Sequence, residues 1–537
     1  MKILVVGSGP SGVHFALTVL RKNHRVVMLD VGRPSPEIPL PDADFLGLKG
    51  RLQDPARYFL GPRFRSASLP GQNDEYYGLP PSKDYVFDRP AEFSFVQDGL
   101  EPLVSFAAGG LAESWTGGCY PLNDYELREF PFDYQEIAPY YSEIAARIGV
   151  AGGEDDLSSY FPGHDHLLPM LNLDESGARL LAAYDRHRSR LSTRYKARLG
   201  RSRQAVLSRP IGERRACTYC GRCLWGCPHG AFYTPSLTLR ECLSYANFQY
   251  IPNAFASHFE LAPSGSIERL LSYDLDKGAQ IQYAADAYVL ACGTLSTSNL
   301  VLRTIYKSRK EIVRLTGLMD NRQLLAPLCN LSMLGHPHDA KSYQYHQLAF
   351  GIETDAPDRY VHGQITTLKT ATTHPIFSKL PIDLRSAIGV FRHLRSSLTV
   401  LNLNFCDWRR EGNYITLSDE LRDARGWPTL TIKYRPTAEE PELLRKAHAV
   451  ARGFFRELGA PLIPGMTHIR PMGASVHYSG TLPMSTQKRQ FSVSPECRFH
   501  DIDNLFVVDG SVVPFLPAKN LTFTLMANAA RVASKAF

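Results

Sequence analysis

Three observations predict an α/β fold in which a parallel, dinucleotide-type unit is interleaved with a unit built on an antiparallel sheet. The chain opens on an apolar run, Lys2 to Val6, that leads directly into Gly7, Gly9 and Gly12. Later, Leu398-Thr-Val-Leu-Asn-Leu-Asn404 and Thr429-Leu-Thr-Ile-Lys-Tyr434 carry the alternation and β-branched residues of half-buried strands. Between and after these lie long helical stretches, such as Tyr134 to Ile148, Ser176 to Lys196 and Thr437 to Leu458.

The first elements follow from local chemistry. Lys2 to Val6 suits a buried parallel strand, and the glycines permit a tight turn, close approach of backbone to a pyrophosphate, and close helix packing. Past Pro10 the chain enters a helix from about Ser11 to Arg21, whose opening amides can receive phosphate charge. A second strand, Arg25 to Leu29, ends in Asp30, placed to bind ribose hydroxyls. Strand, glycines, helix, strand and acid in this order outweigh the plainer reading, a strand-helix turn in an unrelated α/β domain.

Pro34 to Pro90, rich in Pro, Gly and Asp, reads as a long excursion. In the second half, Asp407 to Tyr414, with Gly412-Asn413, reads as a turn into another strand. The helix from Thr437 has a capping candidate at its start and Gly459 just past its end. An antiparallel sheet flanked by helices results.

Several separate blocks carry a resemblance to the glucose-methanol-choline (GMC) family of flavin oxidoreductases. The N-terminal glycine motif is one. Ala108-Gly-Gly-Leu-Ala-Glu-Ser-Trp-Thr-Gly117 is similar to the family's second flavin segment, and Phe130 to Ser142 to the helix start that follows it. Tyr288-Val-Leu-Ala-Cys-Gly-Thr-Leu-Ser-Thr-Ser-Asn299 resembles the return of the chain to the flavin unit. His477-Tyr-Ser-Gly-Thr481, Asp509-Gly-Ser-Val-Val-Pro514 and Asn520 resemble the catalytic segments.

The resemblance implies FAD as cofactor, held by Gly7, Gly9, Pro10, Ser11, Gly12, Asp30, Gly109, Gly110, Ser114, Trp115, Ala291, Gly293, Asp509, Gly510, Asn520, Leu521 and Thr522. It implies a flavin unit over 1–35, 91–125, 236–310 and 471–537, and a substrate unit over 126–204 and 311–470. Where some members tether FAD through a histidine before the tryptophan, this chain has Ser114, which argues against a covalent link there. Residues from Thr316 to about Pro464 are only loosely family-like, so substrate identity does not carry over.

Residues 205–235 form a cysteine-rich insert. Cys217-Thr-Tyr-Cys220-Gly-Arg-Cys223-Leu-Trp-Gly-Cys227-Pro228 reproduces the C-x2-C-x2-C-x3-C-P run of bacterial ferredoxins. Thiolates at this spacing can wrap a 4Fe-4S or 3Fe-4S cluster, with Gly221 and Gly226 letting the backbone approach the sulfurs. In two-cluster ferredoxins the fourth cysteine serves the other cluster. Here Cys227 bends inward, a remote cysteine completes the site, or three irons bind. Structural zinc and plain thiols or disulfides are the competing readings. The insert also resembles that of the catalytic subunits of bacterial FAD-dependent sugar dehydrogenases, which strengthens the iron-sulfur reading. Arg214, Arg215 and Arg222 near the run read as a solvated basic face.

At 537 residues the chain has ample material for at least two domains, and its net charge of +7 is small for that length, giving no sign of nucleic acid binding. No run of eighteen apolar residues appears, so no transmembrane helix is expected. The first strand starts at Lys2, so the expectation is no signal peptide and a cytoplasmic enzyme, or export together with a partner subunit. A small accessory subunit and a protein or quinone electron acceptor are further expectations from the resemblance.

The chemistry centres on His477, whose imidazole can take the hydroxyl proton of an alcohol near neutral pH. Asn520, eleven residues after Asp509, can donate a hydrogen bond to the same oxygen but cannot act as a base. These residues predict an FAD-dependent dehydrogenase acting on a CH-OH group of a sugar, glycoside or other alcohol. An oxygen-using oxidase with a structural metal, or a non-catalytic flavin and iron-sulfur electron carrier, are the alternatives.

Overall fold

The computed structural model describes every residue except 37, 39, 68–74, 76, 340, 344, 357–358 and 369–380. Part of the Pro34 to Pro90 excursion therefore lies outside the described residues. Strand β1 (Lys2–Val6), helix α1 (Pro10–Arg21) and strand β2 (Arg25–Leu29) follow the predicted order. Ile3, Leu4 and Val5 are fully buried, as a strand covered on both sheet faces requires. The parallel sheet runs Leu505–Val507, Ala287–Leu290, β1, β2, Phe248–Ile251. All of its pairings are parallel. Helix Thr522–Ala536 packs against α1 and against helix Tyr134–Ile148.

Two glycines of the first turn are demanded by geometry. Gly7 sits at φ +98°, and a Cβ there would lie 2.7 Å from the Ala291 carbonyl oxygen. A Cβ on Gly12 would lie 2.0 Å from the Gly7 carbonyl oxygen.

The second unit is a six-stranded sheet in the order His468–Ile469, Gln323–Cys329, Leu398–Asn404, Val361–Thr367, Leu348–Ile352, Ala197–Arg201, antiparallel throughout. Period-two alternation gives it two unlike faces. Leu324, Ala326, Leu328, Ile365, Leu401 and Leu403 point into a core that also holds Leu444, Phe454 and Phe455 of helix Glu440–Glu457 and Leu180 and Tyr184 of helix Glu175–Tyr195. Gln323, Gln364, Thr366, Asn402 and Asn404 share the other face, since Gln364 is registered opposite Asn402 and Gln323 opposite Asn404. A four-stranded sheet of Leu315–Thr316, Tyr414–Arg422, Pro428–Lys433 and Phe95–Asp98 adjoins it in sequence. Asp407–Trp408 pairs with Phe515–Leu516 and so ties the approach to Asn520 to this part of the fold.

The basic residues near the cysteines are not a solvated face. Arg222 is 2 % exposed and donates to the carbonyls of Pro41 and Ala43. Arg214 donates to Gly230 and Ile148 carbonyls and lies over the Tyr233 ring. Only Arg215 of the three is exposed. Among the described residues no helix is long and apolar enough to cross a membrane.

Candidate active site

One cavity of about 420 Å³ joins the N-terminal glycine turn to His477 and Asn520. Of the residues predicted to touch a cofactor, Gly7, Gly9, Pro10, Ser11, Asp30, Gly110, Ser114, Trp115, Ala291, Gly293, Asp509, Gly510, Asn520, Leu521 and Thr522 line it. Gly12 and Gly109 stand behind the wall. Gly12 packs on the Gly7 carbonyl, and Gly109, at φ +93°, donates its N-H to Ser8 Oγ at 2.9 Å.

The glycine end fits a dinucleotide on its own features. A Cβ on Gly9 would meet only the Ala291 carbonyl oxygen, at 3.8 Å, so the backbone here borders open space. Ser114 Oγ and Asn299 Oδ1 are buried without a partner, although both residues line the cavity. Asp30 accepts from Ser8 N at 3.3 Å, from Ser8 Oγ and from the Tyr250 hydroxyl at 3.3 Å, and burial pushes its carboxyl up to about 6. Asp509 accepts from Gly293 N at 2.9 Å, Thr297 Oγ1 at 2.5 Å and Ser511 N at 3.0 Å. Its carboxylate therefore caps a short turn and clamps it to the start of helix Thr294–Arg309, leaving backbone to face the cavity.

His477 is held by a partner that no local motif reveals. Its Nδ1 lies 2.8 Å from Asn321 Oδ1. The Asn321 Nδ2 group already donates to the Phe405 and Pro517 carbonyls, at 2.7 and 3.0 Å, which fixes the amide with its oxygen toward the imidazole. An amide oxygen only accepts, so Nδ1 carries the proton and Nε2 is left with a lone pair. Burial lowers the His477 pKa to about 4, and the ring is neutral at pH 7. The loop itself is fixed from below, where Asp320 accepts from Gly473 N at 2.6 Å and from Ser475 Oγ, and Ser475 Oγ accepts from His477 N at 3.0 Å.

Asn520 is pinned in the complementary sense. Gln364 Nε2 donates to its Oδ1, so Nδ2 is the part of the amide left to donate. Next to it in sequence, Lys519 forms an ion pair with Glu126 in which the two side chains are 0 and 1 % exposed. Lys519 also donates to the carbonyls of Pro121 and Tyr160. His477 and Asn520 were named from the sequence, whereas the residues that hold them and their neighbours, Asn321, Gln364, Lys519 and Glu126, were not and come from remote strands and loops. Lys519, an ionisable residue flanked by Ala518 and Asn520 in an otherwise apolar stretch, is the one signal that was available.

Cys217, Cys220, Cys223 and Cys227 all line a second, small void of about 10 Å³, with Phe232 and His229 beside them. Among the described residues, none of the four is joined in a disulfide. Cys217 and Cys227 accept backbone N-H groups from Tyr219 and Phe232, at 3.4 and 3.5 Å. Gly221 and Gly226 have φ of +69° and +103°. Cys227 thus turns toward the same void as the other three. Among the described residues, no three His, Cys, Asp or Glu side chains converge closely enough to hold a metal ion as they stand.

Comparison with known proteins agrees with this architecture. Residues 409–529 match the family profile described as GMC oxidoreductase. The 6'''-hydroxyparomomycin C oxidase of Streptomyces lividus is 24 % identical over 98 % of this chain and 90 % of its own length. The fructose dehydrogenase large subunit of Gluconobacter japonicus is 22 % identical over 99 % of this chain and 96 % of its own length. Among solved structures, pyridoxine 4-oxidase from Mesorbium loti superposes with a TM-score of 0.62 at 15 % identity, over 99 % of this chain and 98 % of that one. Formate oxidase of Aspergillus oryzae gives 0.63 at 12 % identity, over 99 % and 97 %. The GMC oxidoreductase profile thus matches the segment that carries His477 and Asn520, and the chain is similar along nearly its whole length to sugar-oxidising enzymes.

Proposed function

We propose that this protein is an FAD-dependent oxidoreductase that oxidises a CH-OH group of a sugar, glycoside or related alcohol. The observation that carries the reading is the pairing of a fixed base with a fixed donor on one cavity. His477 offers a lone pair at Nε2 because Asn321 holds the proton on Nδ1, and Asn520 offers Nδ2 because Gln364 holds its oxygen. An alcohol seated between them donates its hydroxyl proton to Nε2 and accepts from Nδ2, which turns its C-H bond to a defined direction. A bound flavin supplies the hydride acceptor. The glycine turn, Ser114 and the Asp509 turn would hold that cofactor.

The donor set of the insert suits an iron-sulfur cluster, and Cys217, Cys220, Cys223 and Cys227 would hold it. A cluster supplies a one-electron acceptor, which favours a dehydrogenase serving an external acceptor. An oxygen-using oxidase is the second reading, favoured by the one-water size of the void and by oxidases among the relatives. Anaerobic titration of the FAD-loaded chain with sugars and alcohols tests the first claim, since bleaching of the flavin band is expected and no bleaching by any alcohol overturns it. Iron and acid-labile sulfide counted per chain after anaerobic purification test the second. Three or four irons with matching sulfide support the dehydrogenase, and flavin without iron supports the oxidase.

A further inference from the structure

The cavity wall beside Asn520 is the polar face of the six-stranded sheet, and its hydrogen bonding is incomplete in a specific way. Gln364, which holds Asn520, is registered directly opposite Asn402, so their side chains stand on one face about 5 Å apart at Cβ. Two residues along the same strand, Thr366 lies 3.1 Å from Nδ1 of His346. Two polar atoms in this row have no partner and are buried: Oδ1 of Asn402 and Nε2 of His346. Both residues line the cavity, and His346 is 8 % exposed. Burial holds its imidazole neutral, with the pKa lowered to about 3.

The charges of the cavity are already matched. Among the described residues that line it, the charged side chains are Asp30, Asp509 and Arg470. Asp30 and Asp509 belong to the glycine end and are bonded there to hydroxyls and amides. Arg470 is paired with Glu75 at 2.6 Å and donates to Gln323 Oε1 at 2.6 Å. The wall beside Asn520 therefore offers amides and a neutral imidazole.

Resting on the reading above, we propose that this wall recognises a neutral ring-shaped polyol, with His346 and Asn402 each engaging a hydroxyl on a carbon other than the one oxidised, and that it rejects cationic amino sugars. A hydroxyl both donates and accepts, so it completes either orphaned atom. Among the described residues an ammonium group finds no unpaired carboxylate here, and leaving it desolvated and unneutralised is costly. His346 and Asn402 are thus specificity residues of the same site, separate from proton removal.

The test is anaerobic stopped-flow flavin reduction of the full FAD-loaded chain at pH 6. The probes are D-glucose, D-galactose and D-mannose, each against its 2-amino-2-deoxy counterpart, with cyclohexanol as a ring carrying one hydroxyl. For the best pair the neutral sugar is expected to exceed its amino counterpart and cyclohexanol by at least about 10-fold in rate over apparent Kd. His346→Ala and Asn402→Ala are expected to raise the apparent Kd for that sugar by about 10- to 100-fold, with the limiting rate within about 3-fold, narrowing its preference over cyclohexanol. Asn402→Asp, which keeps the shape and adds a carboxylate, is expected to shift the preference toward the amino sugar, and it covers the case in which an alanine variant fails to fold. The inference is overturned if cyclohexanol or an amino sugar matches every neutral hexose in the parent chain, if the variants alter the limiting rate rather than Kd, or if Asn402→Asp leaves the preference unmoved. Absence of reduction by every alcohol tried, with FAD bound, instead removes the proposed function itself.

Discussion

The large cavity that holds His477 and the small void ringed by cysteines share a wall. Phe232 lines the void, and its ring lies 5.6 Å from that of Tyr345 and 6.5 Å from that of Trp115, both of which line the cavity. The two are nonetheless finished to different degrees. In the large cavity His477 and Asn520 each have one polar atom fixed by a partner distant in sequence, so the other atom is aimed before anything binds. In the small void the Cys217 and Cys227 sulfurs accept backbone amides, and the space between the cysteines holds about one water. Preorganisation built from hydrogen bonds between side chains stands without an occupant, whereas four cysteines brought together as thiolates would repel one another unless a bound metal offset their charge.

Experiments that break one side of this contrast separate the two. His477→Ala is expected to slow flavin reduction by alcohol about 1000-fold, within the usual range for a lost general base, while the bound flavin spectrum is retained. Lys519→Met leaves Glu126 buried without its cation and is expected to cost about 3–5 kcal/mol in denaturant unfolding. Because its neighbour Asn520 loses its anchor, the limiting reduction rate should fall as well. Replacing both members, Lys519→Met with Glu126→Gln, should recover part of the stability.

A smaller effect concerns pH. If His477 takes the hydroxyl proton it must be unprotonated, so the rate of flavin reduction should be level from neutrality downward and fall only as pH drops through about 4. A rate that already halves near pH 6.5 would show a histidine with an ordinary environment. The smallest expected effect lies in the void, where Cys220→Ser should lower iron and sulfide per chain by at least half, with the flavin content kept. Iron that is absent from the parent chain as well would make the void a packing feature.

Much of the scaffold was legible because its signals are local. The turn from Val6 to Pro10 carries its glycines in sequence, and strand Leu398–Asn404 showed its two faces by alternation alone. Helix Glu440–Glu457 ends just before Gly459 as expected, but it starts three residues after Thr437, with Glu439 at its N-cap and no side-chain cap bond there. What escaped was the set of partners that hold His477 and Asn520. Asn321 and Gln364 reach His477 and Asn520 across 156 positions in each case, and no short motif encodes such a bond. Strand Gln323–Cys329 was hidden by Pro327 in its middle, and Gly363 interrupts the pattern of Val361–Thr367. The basic residues at the cysteine run misled for a related reason. Whether Arg222 meets water depends on the loop carrying Pro41 and Ala43, far away in sequence.

The strand order of the parallel sheet also sets a timetable for synthesis. Ala287–Leu290 lies between β1 and Leu505–Val507, so its outer edge stays open until roughly 215 further residues have been made. At ordinary elongation rates that is a wait of roughly 10–40 s for a nascent chain with an apolar strand edge exposed. Asn520 arrives later still. His477 and Asn520 therefore come together only after that wait, and folding helpers that shield a bare sheet edge should govern the yield of folded protein more than any contact within the finished cavity.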